Sequence, residues 1–455
     1  MTDGDGRSAW DSIGEPLAFP RSGLTVKNRI FRSSISGSFD SYDGTGGYAR
    51  INWEEKFARG GVGAIISSFV PVARRGRILP SYAMIHDDST IPFWGAVADR
   101  VHAHGCKFII QLSHSGRQQD VPGVENRYRV ALSSTSDMDT FHGLLCRSMT
   151  KGEIDEVVEQ FGLAARRAQR AGLDGVETHS SHGYLINQFL SSGINDRTDE
   201  YGGPLENRAR LLREIVRSIR AHTDGHFHLQ CKISAVDYNN AIYPWEKKGN
   251  VLEDSVRVCQ WLEEDGVDAL HVSTGSIFPH PRSPAGDFPI DVASEVYGRM
   301  LYSGVRGGFN QRVFSARLGI APRLFRWWWR RRRGPIIEGI NAAHCAEIKA
   351  HVSIPVLLNG GIQRASLAAR VIREGIADGV TIARPLIANN DLPKHWEAGL
   401  DQPPRPCTFC NKCLLNALAN PLGCYELSRY AHDYDAMMDE VMSVFHPSPH
   451  EAANL

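Results

Sequence analysis

The chain has no long apolar run. Nowhere do the ~18–20 consecutive apolar residues of a membrane-spanning helix occur, which argues against a transmembrane segment. It has no surplus of charge either, with 51 Lys and Arg against 51 Asp and Glu, so no overall field points to nucleic acid as a partner. The first residues, MTDGDGRSAW, lack the basic and apolar segments of a secretory signal. Nine cysteines, four of them between 407 and 424, fit a reducing compartment better than a disulfide framework. The expectation from these absences is a cytoplasmic protein. What is present is ordinary: 42% hydrophobic and 22% charged residues describe a globular chain with ample core.

After a polar leader over residues 1–24, short strand-like apolar runs alternate with helix-period runs, the pattern of repeated βα units. Strands are expected at 28–35, 63–67, 107–112, 175–178, 228–233, 269–272, 354–358 and 379–382. Eight such units close into an α/β fold, the (β/α)8 or TIM barrel, whose active site lies at the C-terminal strand ends. One helix start is plainly marked: Thr150 and Glu153 form a capping box, Met149 and Ile154 a hydrophobic staple. The inward face of that helix reads Ile154, Val157, Val158, Phe161, Ala164, Ala165 and Ala168. The stretch 113–149 is too irregular for a packed element and is expected as a loop fringing the pocket.

The most informative stretch is VETHSSHGYLINQFLSSGINDRTDEYGGPLENR, residues 176–208. An apolar run leads into His179, His182 and Tyr184, then a Gly- and Asp-rich loop, then a helix from about Leu205. Side chains alternate faces along a strand and the chain turns at its end, so these three groups can converge on one pocket. Two imidazoles can donate hydrogen bonds to one oxygen while a phenol beside them delivers a proton. Such a set can polarise a carbonyl and protonate its neighbour. The segments HGYLINQFL, NDRTDEYGG and ENR resemble the signature of the Old Yellow Enzyme (NADH:flavin oxidoreductase) family, FMN-dependent ene-reductases on a TIM barrel, and of the related 2,4-dienoyl-CoA reductases. The resemblance implies an FMN-dependent NAD(P)H oxidoreductase that reduces the C=C bond of α,β-unsaturated carbonyl compounds. His179 and His182 would hold the carbonyl oxygen and Tyr184 would supply the proton. In the dienoyl-CoA reductases the position of His182 is a Glu and that of His179 is apolar, which favours the simple ene-reductase.

The same resemblance distributes the flavin contacts. The first strand, NRIFRSSIS, would lie against the flavin ring with Ser34 and Ser36 at its end. The family commonly has Pro at the first of these positions and Thr or Cys at the second, and Ser36 could equally cap the following loop. Gln111 would match the pyrimidine edge, since an amide offers both a donor and an acceptor. Lys232 would sit beside flavin N1 and O2, where a fixed cation favours the reduced ring. A lysine on a barrel strand is costly to bury without such a partner. Gly360 and Gly361 lead into a helix expected near Ala365, where backbone N–H groups and the helix dipole suit a phosphate. Gly361, Ala383 and Arg384 are implied to hold the FMN phosphate. His114 and Arg117 carry no assigned role. His280 is offset by about one residue from a loop histidine of the dienoyl-CoA reductases and is expected at the surface.

Two regions fall outside this pattern. An insertion at about 292–335, after strand six, holds three tryptophans, 327–329, followed by Arg330, Arg331, Arg332 and Arg333. It reads as a lid or subunit contact, admitting a homo-oligomer, or as a peripheral anchor through 325–333 for anionic lipid or acyl-CoA phosphates. The extension 401–455 carries Cys407, Cys410, Cys413 and Cys424. Thiolates spaced C-x₂-C-x₂-C wrap one metal centre. The dienoyl-CoA reductase resemblance implies a [4Fe–4S] cluster, although the third cysteine of those enzymes lies one residue later. A structural zinc and free thiols are the alternatives. No G-x-G-x-x-G nucleotide motif follows, so such a cluster would draw electrons from a partner protein or be structural. The organisation expected is a leader (1–24), an FMN-binding barrel (25–400) and a cysteine extension (401–455). Two rival functions stand beside the ene-reductase: an iron–sulfur flavoprotein reductase of the 2,4-dienoyl-CoA reductase type, and a flavin-binding interaction protein.

Overall fold

The second half of the expected leader is structured. Leu17–Phe19 (β1) and Leu24–Val26 (β2) pair antiparallel into a hairpin. Leu17, Phe19 and Val26 pack with Phe31, Ala64, Ala269 and Leu357, which lie at the starts of barrel strands or on their inward side. The hairpin therefore closes the N-terminal end of the barrel. The computed structural model describes residues 8–119, 128–300, 306–316 and 319–447. Residues 1–7 of the leader, 120–127 of the expected loop, 301–305 and 317–318 of the insertion and 448–455 of the extension lie outside the described residues.

The barrel strands are β3 (Ile30–Arg32), β4 (Ala64–Pro71), β5 (Lys107–Ser113), then, beyond a small pair formed by β6 (Ala131–Ser133) and β7 (Cys146–Ser148), β8 (Gly175–Ser180), β9 (His228–Ser234), β10 (Ala269–Ser273), β11 (Val356–Asn359) and β12 (Gly379–Ile382). Each barrel strand pairs in parallel with the next, and β12 pairs back to β3. The β6–β7 pair corrects the expectation of an irregular loop over 113–149. The first barrel strand is shorter than 28–35, because the Asn28 side chain is spent on the turn, accepting from the Ile30 N–H and donating to the Gly61 carbonyl.

Nearly every barrel-strand residue is buried, as parallel strands covered by helices must be. The expected helix runs Lys151–Arg170 and its capping box is made. Its buried side chains include Ile154, Val157 and Phe161, each worth ~1.5–3 kcal/mol of burial. Behind β3 and β4, Arg32, Arg50, Asp40 and Glu54 form a fully buried ion network. The insertion folds as three helices, Ile290–Met300, Gly307–Phe314 and Ile320–Arg333. A separate aromatic core holds the last two down, with Phe288 at 5.3 Å from Phe314 and 4.9 Å from Trp329.

Candidate active site

The C-terminal strand ends surround one cavity of about 1630 Å³, measured out to its open mouth. Every residue expected at a catalytic or flavin position lines it. Ser34 and Ser36 follow β3, Gln111 lies on β5 and His179 on β8, with His182 and Tyr184 in the turn beyond. Lys232 lies on β9, Gly360 and Gly361 follow β11, and Ala383 and Arg384 follow β12.

The turn after β8 is built by its own motif. The chain reverses through His182 (φ 60°) and Gly183 (φ 74°), both in the left-handed region. A Cβ at 183 would lie 2.0 Å from the Ser276 carbonyl oxygen, so only glycine fits. Asn187 and Gln188 then clamp the turn. The Gly183 N–H donates to Asn187 Oδ1 at 2.7 Å, and Gln188 Nε2 donates to the Gly183 carbonyl at 2.7 Å. Gln118 Nε2 donates to the His182 carbonyl at 2.8 Å.

Held this way, His179 Nε2 and His182 Nδ1 face each other at 3.2 Å. Their outer nitrogens meet hydroxyls, His179 Nδ1 that of Ser113 at 3.4 Å and His182 Nε2 that of Ser273 at 2.8 Å. Burial, helped by the Lys232 charge, holds both imidazoles well below their usual range, so they are neutral. Tyr184 packs against His179 at 4.7 Å and edge-on to Phe69 at 5.0 Å. A register shift between Ile66 and Phe69 of β4 accompanies that placement of Phe69. Burial and the neighbouring Tyr82 push the Tyr184 phenol up, so it carries its proton.

Lys232 is 2% exposed, and its ammonium donates to the Ser34 hydroxyl at 3.2 Å. Burial pulls its pKa down to about 8, against the pull of Glu177. That carboxylate is already engaged: it accepts from Gln111 Nε2 at 2.7 Å and from Gln230, and pairs with His271 at 2.9 Å. Anchored through its nitrogen, Gln111 keeps its oxygen for another donor. Arg384 is buried too, donating to the Ala285 carbonyl and Asn411 Oδ1, both at 2.6 Å. Among the described residues neither cation has a carboxylate within hydrogen-bond reach. Two buried cations without anionic partners, beside an amide offering an acceptor, fit a ligand with a phosphate and an electron-rich ring edge.

One part of the phosphate expectation is corrected. The Ala365–Arg373 helix begins where foreseen, but its N-terminus is taken. Ala365 N–H donates to the Asp401 carbonyl and Ser366 N–H to the Asp401 carboxylate, while the Gln363 and Arg364 N–H groups donate to Glu338. A phosphate there would face two carboxylates. Gly360, Gly361, Ala383 and Arg384 remain.

The cysteines do not line the cavity, but their loop touches it through Phe409, which stacks on Arg384 at 5.1 Å. Phe409 and Asn411 are left-handed and curl the loop. Burial lifts the Cys413 thiol, as do Cys407, Cys424 and Cys410 nearby. Among the described residues no group of three or more His, Cys, Asp or Glu side chains converges as a single metal ion requires. A polynuclear cluster brings its own sulfides and needs thiolates set wider apart. His280, expected at the surface, is instead 1% exposed, meeting the Tyr238 carbonyl and the Arg282 N–H within its loop. His114 and Arg117 bind backbone groups of their own loop region.

Sequence reasoning missed Tyr82, Ser113, Ser273 and the Glu177–His271–Gln230 network. Tyr82 lines the cavity, is hydrogen-bonded to Ser36 and is raised to about 12 by burial. No motif surrounds it. Glu177 stands beside the HGY signature, and its charge within an apolar run was the available signal.

Comparisons with known proteins bear on the family and the fold. The model of the NADH:flavin oxidoreductase / NADH oxidase family matches residues 13–303, and that of dihydrouridine synthase matches 330–420. An NADH oxidase of Thermoanaerobacter brockii is 30% identical over 417 residues, 88% of this chain and 56% of that protein. An NADPH dehydrogenase of Halalkalibacterium halodurans is 39% identical over 260 residues, 57% of this chain and 72% of that one. The chain thus spans little more than half of the first relative. Among solved structures, a 2-naphthoyl-CoA reductase shares the fold with TM-score 0.72 at 22% identity (93% of this chain, 58% of that one), and morphinone reductase with 0.62 at 21% (86% and 91%). With the family model matching well over half of its length and the cavity built as described, the chain belongs to the NADH:flavin oxidoreductase / NADH oxidase family.

Proposed function

We propose that the protein is an FMN-dependent NAD(P)H oxidoreductase that reduces the C=C bond of an α,β-unsaturated carbonyl compound. The observation that carries this reading is the pair of neutral imidazoles facing each other at 3.2 Å beside a protonated phenol. The NADPH dehydrogenase relative supports a nicotinamide reductant. Lys232, Gln111 and Ser36 would hold the ring of FMN, and Gly361, Ala383 and Arg384 its phosphate. When bound, FMN supplies the redox chemistry between nicotinamide and alkene.

The chain's own residues do the rest. The Ser113 hydroxyl meets His179 Nδ1 and the Ser273 hydroxyl meets His182 Nε2. Without substrate one of the facing nitrogens, His179 Nε2 and His182 Nδ1, donates to the other at 3.2 Å, and a substrate oxygen that enters between them replaces that bond once each ring presents its inner N–H. A substrate carbonyl oxygen there accepts from both, more strongly as it gains negative charge, an effect worth ~10²–10³ in rate per donor. Tyr184 gives its proton to the carbon beside the carbonyl. Tyr184→Phe should therefore leave flavin reduction by NAD(P)H intact and slow reduction of a cyclic enone by ~10²–10⁴. Rapid mixing separates the two half-reactions, and equal loss in both would refute the role.

The thiols gathered beside Arg384 favour a second reading, a flavoprotein carrying an iron–sulfur cluster fed by a partner. Iron and acid-labile sulfide, assayed on anaerobically purified protein, decide between the two.

A further inference from the structure

The Ile320–Arg333 helix uses only one face to hold itself down. Phe325 and Trp329 turn inward, 5.0 and 4.9 Å from Phe288, and Trp329 is 2% exposed. Ile320, Leu324 and Trp327, spaced i, i+4 and i+7, point the other way and remain 61%, 60% and 60% exposed. Phe309, on the Gly307–Phe314 helix, is 67% exposed. Isolated exposed apolar residues are ordinary, but three in register on one helix face are not. The charge around them is one-sided. From 296 to 337 there is no Asp, Glu or Lys, and there are ten Arg. Arg326 reaches Asp291, and Arg330 and Arg333 share Asp287, both acids lying before this stretch. Arg323, Arg331 and Arg332 have no carboxylate partner among the described residues, and Arg331 lies over the Trp327 ring at 5.6 Å.

We propose that this face docks on an anionic lipid bilayer, with the helix lying flat in the interface. Ile320, Leu324 and Trp327 enter the boundary between headgroups and acyl chains, joined by Phe309, while Arg323, Arg331 and Arg332 pair with lipid phosphates. An indole is well suited to that depth, apolar over most of its surface and polar at one edge. The alternatives use only half of the surface. A nucleic-acid backbone would satisfy the arginines and leave the apolar stripe facing water. A second copy would cover the stripe but, in a two-fold contact, would set arginines against arginines. The same segment runs on into Ile336 and Ile337, which are partly exposed and line the cavity mouth. The docked helix therefore holds the mouth close to the bilayer.

The test is co-sedimentation of the full-length protein with phosphatidylcholine vesicles, with and without phosphatidylglycerol, at low and high salt. Binding is expected only to the anionic vesicles and weakens with salt. The pair Leu324→Glu and Trp327→Glu should cut the bound fraction by roughly tenfold or more. Changing Arg323, Arg331 and Arg332 to Gln should erase the preference for anionic lipid. Circular dichroism checks the fold, and Trp327→Ser alone provides the comparison if a multiple variant is unstable. Failure of the wild type to bind, or equal binding by all variants, would overturn the proposal. So would lipid-free self-association that Leu324→Glu abolishes, or tighter binding to duplex DNA than to vesicles.

Discussion

At the scale of single residues, the site depends on where protons are held. Without the Ser273 hydroxyl His182 Nε2 loses its partner at 2.8 Å, and the ring is no longer held in the tautomer proposed to present Nδ1–H to the pocket. Ser273→Ala should thus slow enone reduction by roughly tenfold while sparing flavin reduction, a milder loss than that of a whole donor. Lys232 gives a pH signature. Burial lowers its pKa from 10.5 to about 8, so between those values the unfolded chain holds a proton that the folded chain has released. Taken alone, that lysine makes the protein more stable as pH rises through the window. An electron-rich ring edge bound beside it favours the protonated form. FMN affinity, followed by quenching of flavin fluorescence, should therefore weaken as pH climbs past about 8, by at most roughly tenfold per unit. Lys232→Met should bind more weakly at neutral pH and show no such slope.

At the scale of elements, the turn after β8 is the least replaceable piece. Gly183→Ala would drive a methyl group into the Ser276 carbonyl, and the turn would have to shift. We expect a stability loss of ~1–3 kcal/mol and disproportionate loss of enone reduction, measured by urea unfolding alongside half-reaction rates. This element was legible in the sequence because its proposed function and its scaffold share one motif: HGY supplies the groups and the adjoining Asn187 and Gln188 hold them. Several barrel strands were legible for a related reason, since strands buried on both faces carry short apolar runs such as AII at 64–66, FII at 108–110 and VLL at 356–358. Elsewhere the local signal stopped short. The helix at Ala365 was foreseen as a phosphate cradle, but Asp401 and Glu338 reach its N-terminus from 25 or more residues away. The β1–β2 hairpin was hidden in a leader whose polar residues outnumber the three side chains it buries. Tyr82 and Ser273 were invisible because a lone hydroxyl gains meaning only from what the fold brings to it.

At the scale of the whole molecule, buried histidines set the acid limit. His114, His179, His182, His228, His271 and His280 are all shifted below 6.5 by burial, His280 to about 4 and His114 to about 3. As pH falls through 6.5 the unfolded chain takes up protons that these side chains cannot, so stability drops on acidification, by up to ~1.4 kcal/mol per unit for each. Asp237, Glu214 and Glu246, shifted upward by burial, oppose this but are fewer. Unfolding by urea at pH 7, 6 and 5 should show a steepening loss, and a flat profile would contradict the buried, neutral assignment. The hairpin beneath the barrel has a kinetic consequence. With that end stoppered by Leu17, Phe19 and Val26, the cavity opens at the C-terminal strand ends. In the proposed reaction reductant and alkene take turns at that mouth, so double-reciprocal plots should run parallel and oxidised nicotinamide should compete with the alkene for admission.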